Sequence, residues 1–272
     1  MSLISANKTV VIFQAGDLSR YRCNKTYLDT LCGTNQYELL YVVNRKVGDT
    51  INNERVLISD NRYREFSAWE LGLKNLNWDP EVRYTLIFMN ETHDLYREKF
   101  VRLKLRQRAL AMSLASSRNL LSGELHVIRK PGGLPEEVPR EYMNTAFFMV
   151  TSTGRPQFSF TSGVEELNGS YRFELSGDEI FQDYISYLRD IVIGKGKIKW
   201  HGSIGLRTLT DSEVNKKVMS VVLEHSLTRK LENAGYEKVD YLKIIPLIYW
   251  PLKLLDRAYQ KFHNIRKFFK GM

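Results

Sequence analysis

Arg55-Val-Leu-Ile-Ser-Asp-Asn-Arg-Tyr-Arg-Glu-Phe-Ser-Ala-Trp-Glu-Leu-Gly-Leu73 is the stretch on which the fold turns. Val56 to Ile58 is a short apolar run that reads as a buried strand, and Ser59 to Glu65 is a polar loop. Beyond it Phe66, Trp69, Leu73 and Leu76 recur at helical spacing on one face. A strand that passes through a charged loop into a helix is how an open α/β sheet sets functional groups at the carboxyl ends of its strands. The loop carries more charge than a connection requires, so Asp60, Asn61, Arg64 and Glu65 are candidate ligand-binding residues. The plain alternative is a solvated surface loop. Phe66 and Trp69 are assigned to the helix core instead.

Working outward, Thr9-Val-Val-Ile-Phe13, Glu38-Leu-Leu-Tyr-Val-Val43 and Tyr84-Thr-Leu-Ile-Phe-Met89 are near-continuous apolar runs. A helix containing Tyr27, Leu28 and Leu31 separates the first two, and the Glu65 to Leu76 helix precedes the third. Continuous apolar strands alternating with helices predict a mostly parallel sheet covered on both faces. The carboxyl ends of such strands face one crevice. Gln14 and Asp17 after the first strand, and Asn90 and Glu91 after the fourth, therefore join the loop residues as candidates for one ligand. Carboxylate and carbonyl oxygens there suit Mg²⁺ or Mn²⁺ bridging a diphosphate, with Glu91 as the candidate metal contact. Arg62 or Arg64 is a candidate for a bidentate grip on phosphate oxygens. His93 in the same strand end reads as a lone surface histidine.

Residues 97–121 are predicted helical, although Val101, Leu103 and Leu105 alternate with Arg102, Lys104 and Arg106 at a strand's period. Those cations read most simply as a solvated face. Leu125 to Ile128 and Thr145 to Val150 are further strands, separated by a Pro- and Gly-rich loop over 130–139. Helices are predicted at Gly177 to Ile193 and at Asp211 to Ala234, the second with Ser212 as its cap and Gly235 as its stop. Residues 1–240 read as one α/β domain and 241–272 as a tail of different character. There Leu252, Leu255, Ala258, Tyr259, Phe262, Ile265 and Phe269 share one helical arc, opposite Lys253, Arg257, Lys261 and Lys267. A basic face against an aromatic-rich apolar face predicts an amphipathic helix lying on an anionic membrane surface. The alternative is a terminal helix docked on the domain's own core.

Composition narrows the classes. Two cysteines, Cys23 and Cys32, support neither a disulfide framework nor a zinc site and point to a reduced, cytoplasmic compartment. No basic segment followed by an apolar run opens the chain, and no apolar run approaches the ~20 residues of a membrane span. The net charge of +9 predicts an anionic partner without choosing among phosphate, nucleic acid and lipid. No Gly-x-Gly-x-x-Gly follows the first strand, only Gln14-Ala-Gly-Asp17, which argues against a dinucleotide cofactor and, more weakly, against a methyltransferase. A Walker loop and a Gly-x-Ser-x-Gly elbow are missing too.

At these residues the sequence resembles bacterial polysaccharide glycosyltransferases with a GT-A-type fold, nearest the rhamnan-synthesis F group. That group's Asn-x-Gly-Arg-Asp/Glu-Phe/Ile-Gly-Ala-Trp segment is matched by Asn61-Arg-Tyr-Arg-Glu-Phe-Ser-Ala-Trp69, with Tyr63 and Ser67 in place of the glycines. Its Asn-Asp-Ser strand end is matched by Asn90-Glu91-Thr92, the glutamate lengthening the arm. Glu224 to Gly235 is similar to its late Glu-bearing helix. The resemblance spans about residues 8 to 240 in order of elements. It implies sugar transfer from a nucleotide sugar to a lipid-linked or oligosaccharide acceptor in surface-polysaccharide synthesis, at the inner face of the cytoplasmic membrane. An inverting reaction needs a carboxylate base, for which Asp178, Glu179 and Glu224 are the candidates. The competing class is a non-catalytic basic protein that binds nucleic acid or anionic membrane. Nucleic acid is the less favoured partner, because the positive charge is spread over residues 97–108 and the tail rather than gathered with aromatics in one groove.

Overall fold

The apolar runs form the centre of the molecule, since each of them is covered on both sides. The computed structural model describes residues 7–44, 55–91, 99–128, 134, 138–167, 170–173, 179–195, 210–244 and 251. In chain order the elements are β1 (Asn7–Ala15), α1 (Tyr21–Cys32), β2 (Tyr37–Val43), β3 (Arg55–Ile58), α2 (Glu65–Lys74), β4 (Arg83–Asn90), α3 (Lys99–Ala115) and β5 (Leu120–Val127). They continue with β6 (Glu141–Thr153), β7 (Val164–Leu167), β8 (Ser170–Phe173), α4 (Glu179–Val192), α5 (Asp211–Asn233) and β9 (Glu237–Asp240). Seven strands make one sheet in the order β3-β2-β1-β4-β6-β5-β9, and β7 pairs with β8 separately. Four of its six pairings are parallel, and β6 runs antiparallel to both neighbours. The chain is an α/β protein with a mostly parallel mixed sheet.

Strand alternation sorts the core into two layers. Val10, Ile12, Leu40, Val42, Leu86, Phe88, Phe148 and Val150 face α2, α4 and α5. Val11, Phe13, Tyr41, Val43, Ile87, Met89, Phe147 and Met149 face α1 and α3. Trp69 locks α2 onto the sheet: its indole N–H donates to Met89 O at 3.3 Å, and its ring lies edge-on to Phe66, Phe88 and Phe148. The helix sits close to β1, because a Cβ on Gly72 would lie 2.5 Å from Ile12 Cγ2.

Several expectations shift. The helix expected to run to residue 121 stops at Ala115, and Leu120 and Leu121 begin β5 instead. Leu120 N donates to Thr151 Oγ1, and the strand gains β6 on one side and β9 on the other. Arg102 and Arg106 are buried rather than solvated. Arg102 pairs with Glu124, while Arg106 donates to the Tyr27 hydroxyl at 2.7 Å and covers the Phe147 ring at 4.5 Å. The α5 cap is Thr210, not Ser212: Thr210 and Glu213 form a reciprocal capping box. Gly235, at φ 83°, ends that helix as expected. Among the described residues no helix is long and apolar enough to cross a membrane. The tail beyond Ile244 apart from Pro251, the segment Thr92-His93-Asp94, most of the 130–139 loop and Asp178 lie outside the described residues.

Candidate functional site at the carboxyl edge of the sheet

β1 connects to β2 on one side, and the β3–α2–β4 crossover returns to its other side, so the strand order reverses between β1 and β4. A reversal of this kind opens a crevice beyond the strand ends. Backbone bonds tie the edge together: Asn44 N donates to Ala15 O at 3.2 Å and Ser59 N to Val43 O at 2.8 Å. Gln14 and Asn90 are register partners. Both are buried, and by alternation both lie on the α2/α5 side of the sheet.

Asn90 Nδ2 donates to Thr145 O at 3.2 Å. The same Thr145 donates through its N–H (3.0 Å) and its hydroxyl (2.7 Å) to Glu224 Oε1 on α5. Both of these bonds fall on Oε1. One turn earlier on α5, Ser220 donates to Glu65 Oε1 at 3.2 Å, and Glu65 opens α2. Lys217 lies among Glu65, Glu224 and Arg64, near enough for all three charges to act on it. Burial lowers the Lys217 ammonium, an effect the two carboxylates oppose. Burial also raises the Glu224 carboxyl above the ordinary range, against the two Thr145 donors and Lys217, while Glu65 pushes it further up. The structure thus joins Asn90, Glu65, Arg64 and Glu224 around one ionic cluster, with Gln14 the register neighbour of Asn90.

Arg64 sits in a sterically restricted conformation, φ 54° and ψ −128°, and Asn61 has φ 55°. These two residues bear the positive φ of the turn; Tyr63, in a glycine's place, is buried, with its N–H on Ser67 Oγ at 2.7 Å. Arg64 is half exposed, 3.6 Å from Glu65 Oε2. Asp60 is exposed and holds Arg62 N at 2.9 Å, while the buried Asn61 Oδ1 has no hydrogen-bond partner among the described residues.

Glu91 accepts from Gly16 N at 3.0 Å, and Asp17 accepts from Ser19 N at 2.8 Å. Both carboxylates lie close to the Tyr41 hydroxyl, which burial pushes up to about 12. Among the described residues no group of three His, Cys, Asp or Glu side chains is arranged to hold a metal ion. The described side chains therefore do not fit a resident metal cage. A divalent ion arriving on a substrate diphosphate needs only one or two protein carboxylates, which Glu91 and Asp17 could supply. Asp178 lies outside the described residues, as does the side chain of Glu179, whose backbone begins α4.

Sequence reading missed Thr145, Lys217 and Ser220. A signal for the latter two exists: Lys217, Ser220 and Glu224 are spaced i, i+3, i+7, so they share one face of a helix that also buries Val214, Val218 and Val221. Compared with protein-family models, curated proteins and solved structures, the chain matches none of them.

Proposed function

We propose that the chain is a glycosyltransferase that moves a sugar from a nucleotide-sugar donor to a hydroxyl of a glycan acceptor. In this reading the donor diphosphate lies at the β1–β4 reversal, between Gln14, Asp17, Asn90 and Glu91 on one side and Asp60, Asn61 and Arg64 on the other. The observation that carries it is the cluster of Glu65, Lys217 and Glu224 beside Asn90, at the edge where α/β sheets take nucleotides.

Glu224 is the base. Burial raises its proton affinity, which suits a general base. One oxygen is anchored by Thr145, and the other accepts no hydrogen bond from the described residues. The acceptor hydroxyl gives its proton to Glu224, and its oxygen forms the new bond to the anomeric carbon. The bond from that carbon to the diphosphate oxygen breaks, and the electron pair leaves with the diphosphate. Lys217 and Arg64 stabilise the charge that develops there.

Resemblance of Asn61 to Trp69 to the rhamnan-synthesis F group supports surface-polysaccharide synthesis as the context. The basic, amphipathic composition of residues 241–272 supports a lipid-linked acceptor met at the cytoplasmic membrane surface. A thermal-shift screen of nucleotide sugars and nucleoside diphosphates, with and without Mn²⁺, tests the proposal. Stabilisation of several degrees by one nucleotide class is the expected result; no shift with any of them sinks it.

A further inference from the structure

Charge is divided unevenly between the two helix layers. α3 carries five cations and no acid, and α1 carries two cations and one acid. On the opposite face of the sheet α4 has three acids and one cation, α2 two acids and one cation, and α5 four of each. Part of the cationic layer points inward, since Arg102 pairs with Glu124 and Arg106 donates to Tyr27. Arg22, Lys104 and Arg108 are exposed. The one acid, Asp29, is held by Lys25 at 3.3 Å and by the Tyr37 hydroxyl at 2.6 Å. The two helices lie side by side, with Gln107 Nε2 donating to Thr30 O at 2.7 Å. Lys104, Arg108 and Met112 follow at i, i+4 and i+8, so they form one exposed ridge of α3, on which Met112 is 41% exposed. On α1, Arg22 and Thr26 lead to Thr30 at the same spacing.

The chain leaves the domain from this same layer. Tyr241 and Leu242, in the 3₁₀ turn Tyr241–Ile244, are buried in the core beneath α1 and α3. Residues 245–272, which follow, carry six cations and one acid, Asp256. Positive charge thus gathers on one face and on the sequence attached to it. Nucleic acid and anionic lipid both answer to such a face. Nucleic-acid grooves add exposed aromatics to their cations, and among the described residues no exposed side chain of α1 or α3 is aromatic. An exposed methionine in line with cations suits a bilayer interface, which takes charge and apolar surface together. We propose that the α1/α3 face docks on an anionic bilayer beside residues 245–272, as a second contact that sets how the domain lies on the membrane. Because α1 follows the carboxyl end of β1, the crevice then sits at the rim of the docked face, with α4 turned away. Stable attachment takes two signals, so neither the face nor the tail suffices alone.

This inference rests on the membrane part of the reading above and does not need sugar transfer. The full chain is sedimented with vesicles of phosphatidylserine and phosphatidylcholine in equal parts, and with phosphatidylcholine alone. Each cation near an anionic surface is worth about fivefold in partition, so Arg22→Glu, Lys104→Glu and Arg108→Glu together should weaken binding to the anionic vesicles about thirtyfold or more. A control of equal charge change replaces Arg155, Lys195 and Arg229, exposed elsewhere on the surface, with Glu. Charges beyond a Debye length from the bilayer are screened, so the control should lose less than about threefold. Equal losses in the two variants, or no loss in the first, overturn the face. A second measurement leaves every charge in place: Cys23, exposed on α1 next to Arg22, is labelled with nitrobenzoxadiazole while Cys32 is buried. Its emission should shift to the blue with anionic vesicles and stay unchanged with phosphatidylcholine. No shift in a protein that sediments means that the tail alone makes the contact, which overturns the proposal and leaves the membrane reading standing. If the wild type sediments with neither vesicle, the membrane reading fails and takes the face with it, while the nucleotide screen still decides sugar transfer. Duplex DNA binding that is lost in the first variant, with vesicle binding kept, assigns the face to nucleic acid and likewise overturns the proposal.

Discussion

Arg64→Gly is expected to make the protein more stable and less able to bind the proposed nucleotide-sugar donor. Arg64 holds φ 54° and ψ −128°, where a Cβ is strongly disfavoured. Strain of this kind costs about 1–3 kcal/mol per residue. A glycine loses more conformational freedom on folding, which takes back about 0.4–1 kcal/mol. Two smaller effects offset each other. The ion pair to Glu65 at 3.6 Å is half exposed, and pairs of that kind are worth about 0–1 kcal/mol. Removing a cation from the start of α2 recovers about 0.3–1 kcal/mol from the helix dipole. A net gain of about 1 kcal/mol remains, or a rise of about 2–4 °C in Tm for a chain of this size. Urea unfolding and a thermal scan measure it, beside titration with the nucleoside diphosphate that stabilises the wild type best. Donor affinity should fall about tenfold or more with the loss of a charge-assisted phosphate contact, about 1.5–3 kcal/mol. A variant less stable than wild type would refute the strain argument. A stabilised variant with full affinity would refute the ligand role of Arg64.

Three further outcomes are expected. Gly72→Ala should cost about 1–3 kcal/mol in chemical denaturation, because its Cβ meets Ile12 Cγ2 at 2.5 Å and must push α2 off β1; unchanged stability would mean that the helix is free to shift. His225 is buried against the Tyr184 hydroxyl, and burial pushes its proton affinity down to about 3. Between pH 6.5 and 3 the unfolded chain binds more protons at this residue, so the His225 contribution to stability falls as pH falls, by about 2 kcal/mol between pH 6.5 and 5. Glu124, lowered to about 2, adds its own loss only below about 4.5. His225→Gln should flatten the slope between pH 6.5 and 5, and an equally steep slope would assign the acid sensitivity elsewhere. Finally, deletion of residues 252–272 should abolish co-sedimentation with vesicles rich in anionic lipid. If a folded truncation still sediments with them, the tail is not the membrane contact.

Much of the sheet was readable because β1, β2 and β4 are buried on both faces, and two-sided burial writes itself as unbroken apolar runs. β9 was not: among the described residues Glu237-Lys-Val-Asp240 pairs on one side only, and what makes it a strand is the parallel ladder to β5, a tertiary fact. The helix over 99–115 looked strand-like at its start because Arg102 and Arg106 are buried. They alternate with leucines as surface cations would, yet their guanidinium groups are satisfied inside by Glu124 and Tyr27. Strand-end logic picked out Gln14, Asn90 and Glu91, since position after an apolar run needs no tertiary knowledge. The pairing of Glu224 with Thr145 depends on how α5 lies across β6, for which no local pattern exists. Nor does composition reveal that Arg64 and Asn61 rather than Tyr63 carry the positive φ of the loop.

The most direct test of the transferase account is release of nucleoside diphosphate from nucleotide sugars, compared between the wild type and Glu224→Gln. Glutamine keeps the Thr145 hydrogen bonds but cannot take a proton, and general-base removal typically costs about 10²–10⁴-fold in rate. The account predicts that the wild type releases a nucleoside diphosphate from one donor class in the presence of a glycan acceptor. The variant should bind that donor with similar affinity and release it at least a hundredfold more slowly. A variant as fast as the wild type, or a wild type that binds a nucleotide sugar yet never releases its nucleotide, would contradict it.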